Sequence, residues 1–100
     1  MVLVNVLKND DFYDEVTISG HALFDDYGKD IVCSAISSIT ITTINAILTI
    51  DDKAINYEHK NDRLVIKVLK KSDIVNKLIL NMLNMLKSLE GYYPKNIKIL

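Results

Sequence analysis

Asp30–Thr49 reads D-I-V-C-S-A-I-S-S-I-T-I-T-T-I-N-A-I-L-T, and whether it is strand or helix decides the fold. The run Ile39-Thr40-Ile41-Thr42-Thr43-Ile44 is rich in β-branched residues and alternates locally, which favours a strand. Against that, Val32, Ala35, Ile36, Ile39, Ala46 and Ile47 fall on one helical face. A strand of about 20 residues would also far exceed the usual length of roughly 5 or 6. The segment therefore reads as a helix. Asp30 is a good N-cap, which puts Cys33 at the third helical position, where its backbone N–H is an unpaired donor.

Upstream, the segment from His21 to Lys29 is a loop with apolar Leu23, Phe24 and Tyr27 and acidic Asp25 and Asp26, ending at Gly28. Before it, residues 2–7 alternate Val2, Val4, Val6 against Leu3, Asn5, Leu7, a strand apolar enough on both sides to lie inside a sheet. Lys8-Asn9-Asp10-Asp11 is turn chemistry, and Glu15–Ser19 is a second strand that His21 closes. Downstream of the helix, Asp51-Asp52-Lys53 is a turn. Ile55, Tyr57 and His59 alternate, Lys60-Asn61-Asp62 turns the chain, and Leu64, Ile66 and Val68 alternate again, giving a β-hairpin. Ser72 caps a second helix whose stripe is Val75, Leu78, Ile79, Met82, Leu86 and Leu89, and Gly91 ends it. Tyr92, Tyr93 and Pro94 lead into a last strand with Ile97 and Ile99. The order ββα-ββα-β predicts an α/β (α+β) two-layer sandwich, two helices on a mixed five-stranded sheet.

One hundred residues make one domain, 1–100, with no internal repeat or linker. The apolar share of 49% is too high for disorder. A net charge of −1 with Arg63 as the single arginine argues against direct nucleic-acid binding. One cysteine forms no internal disulfide, so a reducing compartment, the cytoplasm, is expected. Met1–Leu7 lacks the basic start and cleavage site of a signal peptide. Ser and Thr interrupt the longest apolar run, so no membrane helix is expected.

Cys33 and His21 carry the chemistry. A thiol in the first turn of a helix, near an imidazole at the end of a neighbouring strand, supplies the two parts of a cysteine nucleophile. The expected reaction is acyl transfer: Cys33 attacks a peptide carbonyl and His21 protonates the leaving amine. The N–H of Cys33 and its helical neighbours bind the oxyanion. The plain alternative is a small buried hydrophobe, the usual state of a lone cysteine. His59 is the rival base, though a solvent-facing place in the hairpin suits it better. Asp30 is either the helix cap or the orienter of His21. Ser37, four residues after Cys33 and on its face, either bonds substrate or packs back on the Cys33 carbonyl. Asp25 and Asp26 with His21 and Cys33 lack any zinc spacing, so neither metal nor cofactor is expected. The Tyr92-Tyr93 pair reads as a core edge.

The stretches I-S-G-H-A and G-K-D-I-V-C-S-A-I-S resemble the signature of the ribosomal-processing cysteine protease family, Prp. Its pattern is G-H-A, a short loop, then G-x-D-I-V-C, two small residues, an aliphatic and Ser. Gly20, Ala22, Gly28, Asp30, Ile31, Val32, Ala35 and Ser37 match, and weaker similarity runs through Thr43, Asn45 and Tyr93-Pro94. Ser34 departs, where the family more often has Ala. The resemblance implies a small α/β endopeptidase, commonly a homodimer, that removes an N-terminal extension from the large-subunit ribosomal protein numbered twenty-seven. It puts the nucleophile on Cys33 and the general base on His21, with Asp30 and Ser37 at motif positions of open role. Its substrates carry an apolar-aromatic stretch followed by a basic segment. Nothing in the resemblance carries over to the loop tip Leu23–Tyr27, but the acidic charge of Asp25 and Asp26 itself leads one to expect that they meet such basic residues. The loop Ala22, Leu23, Phe24, Asp25, Asp26, Tyr27 and Gly28 must admit a peptide and then cover it, with Gly28 as hinge. Two other classes also fit the residues: a non-catalytic module binding ribosomal or assembly partners by its sheet edge, and a thiol redox sensor.

Overall fold

The computed structural model describes every residue of the chain except Tyr27, whose predicted place in the substrate loop lies outside the described residues. β1 (Val2–Asn9) and β2 (Phe12–Ser19) form a hairpin that leads to α1 (Ile31–Ile50). A second hairpin, β3 (Ile55–Lys60) and β4 (Arg63–Val68), leads to α2 (Asp73–Tyr92) and a short β5 (Ile97–Ile99). The strands lie in the order β3-β4-β2-β1-β5, with β1 and β5 parallel and the other pairs antiparallel. Two helices with a mixed five-stranded sheet is the architecture the sequence predicts, in the predicted element order.

Strand register gathers the core on one face. Val4 pairs with Ile18, Val6 with Val16, Val16 with Ile66 and Val2 with Ile97, so these side chains point the same way. They pack with Val32, Ile36, Ile44 and Ile47 of α1 and with Val75, Ile79, Met82, Leu83 and Leu86 of α2. Each such aliphatic, taken from water, contributes about 1.5–3 kcal/mol. β1 lies inside the sheet as its pattern suggests, yet Leu3 and Leu7 on its other side are exposed.

Several boundaries differ from expectation. The first turn is Asp10-Asp11 alone: a bulge between Leu7 and Lys8 carries the ladder past the polar residues, and Asp10 takes φ 55°. Asn76 of α2 secures that end, accepting from the Tyr13 N–H and donating to the Asp11 carbonyl. The second turn is shorter too. Lys60 pairs with Arg63, leaving Asn61 and Asp62 as a two-residue loop at φ 52° and 61°, the backbone of a type I′ turn. Helix α2 continues through Gly91 to Tyr92 and is capped at Tyr93, whose N–H bonds the Leu89 carbonyl. Tyr92 is exposed, so only Tyr93 of the tyrosine pair packs against the core.

Helix α1 buries Val32, Ile36, Thr40, Thr43, Ile44 and Ile47, while Ala35, Ile39 and Ala46 stand at the margin of that stripe. Two threonines enter the core because their hydroxyls donate to the Ile36 and Ile39 carbonyls one turn back, at 2.9 and 2.8 Å. By length and composition α1 is also apolar enough to cross a membrane, against the expectation that Ser and Thr break the run. In the fold, one side of it closes the sheet.

Candidate active site

The backbone between β2 and α1 is fastened on both sides. Gly20 sits at φ 92°, and a Cβ there would come within 2.5 Å of the Met1 carbonyl oxygen, so the position requires glycine. The Gly20 N–H donates to the Asp62 carbonyl at 3.0 Å. Two residues on, Ala22 is buried, and its carbonyl accepts from Asn96 Nδ2 at 2.8 Å. Asn96 is itself held: its carbonyl accepts from the Val2 N–H at 2.9 Å and its N–H donates to Tyr93 at 3.0 Å.

This fastened stretch meets the first turn of α1. Cys33 is half-buried, and the Ala22 N–H points at its Sγ at 3.4 Å. Peptide geometry then puts the sulfur within about 6.3 Å of the His21 Cα. The His21 side chain is exposed, and its Nε2 lies 3.0 Å from Asp62 Oδ2. The two predicted residues therefore share a backbone junction, while the imidazole tip is turned toward the β3–β4 hairpin.

Asp30 caps α1. Its Oδ1 accepts from the N–H groups of Val32 and Cys33, each at 3.0 Å, and its Oδ2 from the Phe24 N–H at 3.0 Å. Burial pushes its carboxyl up, but hydrogen bonds from the Cys33 and Phe24 N–H groups, the Cys33 side chain and the Asp25 N–H outweigh that and hold it below the ordinary value. This geometry corrects one expectation, the oxyanion donors, and decides between the two roles of Asp30 in favour of the cap. The Val32 and Cys33 N–H groups are taken by the cap carboxylate and the Ser34 N–H by the Asp30 carbonyl, so these three donors are already engaged rather than free for an oxyanion. The donor beside the sulfur belongs to Ala22. The carboxylate that meets His21 is that of Asp62, not Asp30.

The rest of the predicted site is more open. Ala22 is part of the fastened junction rather than of a mobile cover. Leu23 follows at φ 56° and is exposed, as are Asp25, Asp26 and Gly28. Phe24 ties the loop down twice, through its N–H to Asp30 and through an edge-on contact of its ring with Tyr93, centroids 5.3 Å apart. Asp25 Oδ1 accepts from the Asp26 N–H, and the Asp26 carbonyl from the Lys29 N–H. Ser37 is exposed one turn after Cys33, and His59 is exposed on β3, with β4 between it and β2. Asn96 and Asp62 escaped sequence reading. The only local signal either gives is turn chemistry.

Comparison with known proteins gives the family of the chain. A sequence profile of the family described as cysteine protease Prp matches residues 1–98. Curated proteins from two Staphylococcus aureus strains, each a ribosomal processing cysteine protease Prp, are 33% identical over 103 residues, covering 99% of this chain and 97% of theirs. A crystal structure of S. aureus Prp with a covalently linked product peptide superposes with a TM-score of 0.94 at 26% identity, over 99% of this chain and 97% of that one. A second, with a substrate peptide, gives 0.88 at 25% identity over 100% and 98%. SMU.848 from Streptococcus mutans shares the fold, with a TM-score of 0.78 at 21% identity over 99% and 91%. A chain matched over nearly its whole length by the profile and by these relatives belongs to the cysteine protease Prp family, and is a cysteine peptidase.

Proposed function

We propose that the chain cleaves its peptide through a thioester on Cys33, with His21 as the proton carrier. The observation that carries this reading is the Ala22 N–H on Sγ at 3.4 Å, with the imidazole on the preceding residue. The Sγ–H proton passes to His21, and the thiolate adds to the scissile carbonyl carbon. The oxyanion takes the Ala22 N–H, the one donor among the described residues already directed at the reacting sulfur. Collapse expels the amine, which takes the proton from His21 and leaves the acyl group on sulfur. Water then adds to the thioester, gives a proton to the imidazole, and the acid departs as the thiol reforms. The covalently linked product peptide of the S. aureus relative supports an intermediate on the enzyme.

The substrate is the N-terminal extension of large-subunit ribosomal protein twenty-seven, a reading supported by the ribosomal processing relatives. Leu23–Gly28 is the segment that admits and covers it, and exposed Asp25 and Asp26 meet its basic part. Asp30 keeps the helix end in register, and exposed Ser37 borders the same face. The enzyme works in the cytoplasm as a homodimer, without direct contact to nucleic acid or membrane. The test is incubation of the extended ribosomal protein with wild type, Cys33→Ala and His21→Ala, read by mass spectrometry. Loss of cleavage in both variants, with an acylated Cys33 trapped in the wild type, is the expected result. Cleavage by Cys33→Ala would overturn the mechanism.

A further inference from the structure

The β3–β4 hairpin tip reaches His21 twice. The Asp62 carbonyl accepts the Gly20 N–H at 3.0 Å, fixing the turn against the residue before the histidine, and the Asp62 carboxylate lies 3.0 Å from His21 Nε2. The backbone of Asp62, at φ 61°, is one that Asp, Asn and Gly adopt readily, so the turn delivers its side chain from a defined place. We propose that Asp62 is a positioning residue for His21, keeping the proton on Nε2 so that Nδ1 is the nitrogen that takes the proton from Cys33. The proposal rests on the Cys33–His21 reading above.

The chemistry follows from the ring. A neutral imidazole carries one N–H and one bare nitrogen, and a carboxylate facing Nε2 selects the tautomer with the proton there. Nδ1 is then the base, and it is the ring nitrogen nearer the backbone, whose next N–H touches the sulfur. When the Sγ–H bond breaks and its proton moves to Nδ1, the imidazolium that forms has the Asp62 carboxylate beside its far edge. When the tetrahedral adduct collapses, the Nδ1 proton leaves for the amine nitrogen and the ring returns to its starting tautomer. Both side chains of the pair are more than half exposed, so solvent screens the attraction and the effect is chiefly orientation.

Asp62→Gly tests this without harming the fold, because Asn followed by glycine is the preferred pair for a type I′ loop. Asp62→Asn keeps the turn and an acceptor but removes the charge. The full chain is followed by kcat and KM for an extension peptide, by the rate of Cys33 alkylation with iodoacetamide, and by ¹⁵N NMR signals of the imidazole nitrogens. Expected for Asp62→Gly is a fall of about tenfold in kcat with KM nearly unchanged, a comparable slowing of alkylation, and a mixed tautomer where the wild type holds Nε2–H. Asp62→Asn recovers part of the loss. A wild-type tautomer balance and kcat in Asp62→Gly would overturn the proposal, and so would faster turnover, which would make Asp62 a restraint that holds the imidazole off the sulfur. Failure of the protease reading is separate: it would show as cleavage that survives Cys33→Ala, whereas the NMR signals report on Asp62 whether or not peptide is cut.

Discussion

Asn96 donates from Nδ2 to the Ala22 carbonyl at 2.8 Å, so a side chain just before β5 fixes the peptide unit whose neighbouring N–H faces the cysteine sulfur. That single bond links the C-terminal strand, which runs parallel to β1, with the junction where the chemistry is assigned. It also satisfies a carbonyl of a buried residue, which would otherwise lose its partner on folding.

Asn96→Ala therefore strikes stability and activity together. An unsatisfied carbonyl at Ala22 costs about 1–3 kcal/mol. Thermal unfolding should shift down accordingly. Amide exchange at Ala22 should accelerate while that of the α2 core stays slow. Turnover should fall further than peptide affinity, since the junction aligns the donor beside the sulfur rather than a distant binding surface. Unchanged exchange at Ala22 would mean that the junction is held without this bond.

Gly20→Ala tests the other fastening. Its new Cβ meets the Met1 carbonyl oxygen at 2.5 Å, and φ 92° is unfavourable for alanine. Backbone strain of this kind costs about 1–3 kcal/mol, and relief requires the chain to move away from β1, taking His21 with it. The expected variant folds at reduced stability and has lost nearly all peptidase activity. Gly28→Ala is the useful contrast. Its φ is 86°, but open space surrounds the position, so strain there stays in the loop and turnover should suffer much less.

The pH dependence of stability follows from Asp30 and Asp51, both held below their ordinary value of 3.8. For Asp51 the Lys53 N–H contributes most and the Lys70 ammonium adds to it. A carboxyl whose folded-state pKa is depressed stabilises the fold fully above the unfolded value. That contribution disappears as pH falls through the folded value. Stability should thus be flat toward neutrality on account of these groups and drop on the acid side of 3.8. Asp30→Asn should flatten part of that acid limb in thermal unfolding series, while lowering stability near neutral pH because an amide offers one acceptor oxygen in place of two.

How far the sequence revealed this arrangement depends on the range of each interaction. Capping is local, so Asp30, the start of α1 and the position of Cys33 in its first turn were legible from neighbouring letters. The G-H-A motif was legible for the same reason. The partners of that motif were not. Asp62 and Asn96 come from other elements, and nothing in K-N-D-R or P-K-N-I distinguishes a residue that reaches the site from one that merely turns the chain. The Cys33 N–H and its Val32 neighbour, read as oxyanion donors, are engaged instead because an N-cap carboxylate and a helix N-terminus compete for the same N–H groups, and here the carboxylate takes them. Thr40 and Thr43 read as polar interruptions, yet hydroxyls bonded to carbonyls one turn back enter a core at little cost.

The last prediction concerns the contact that closes the loop onto the body of the protein. The Phe24 and Tyr93 rings meet edge-on, with planes at 83°, and the Phe24 N–H holds Asp30 at 3.0 Å. An aromatic pair of this geometry contributes about 0.5–1.5 kcal/mol beyond its buried area, which is small enough for a bound peptide to displace. Phe24→Ala removes the ring contact and keeps the N–H, so the cap of α1 survives. Amide exchange across Leu23–Asp26 should rise severalfold while α1 keeps its protection. If the pair restrains a cover that must open for substrate, association of peptide becomes faster and product leaves sooner. If Phe24 instead lies over the bound peptide, KM rises and kcat holds. Tyr93→Ala separates the two cases: it frees the loop but leaves the Phe24 ring in place to cover substrate, so a rise in KM confined to Phe24→Ala would identify that ring as part of the peptide's binding surface.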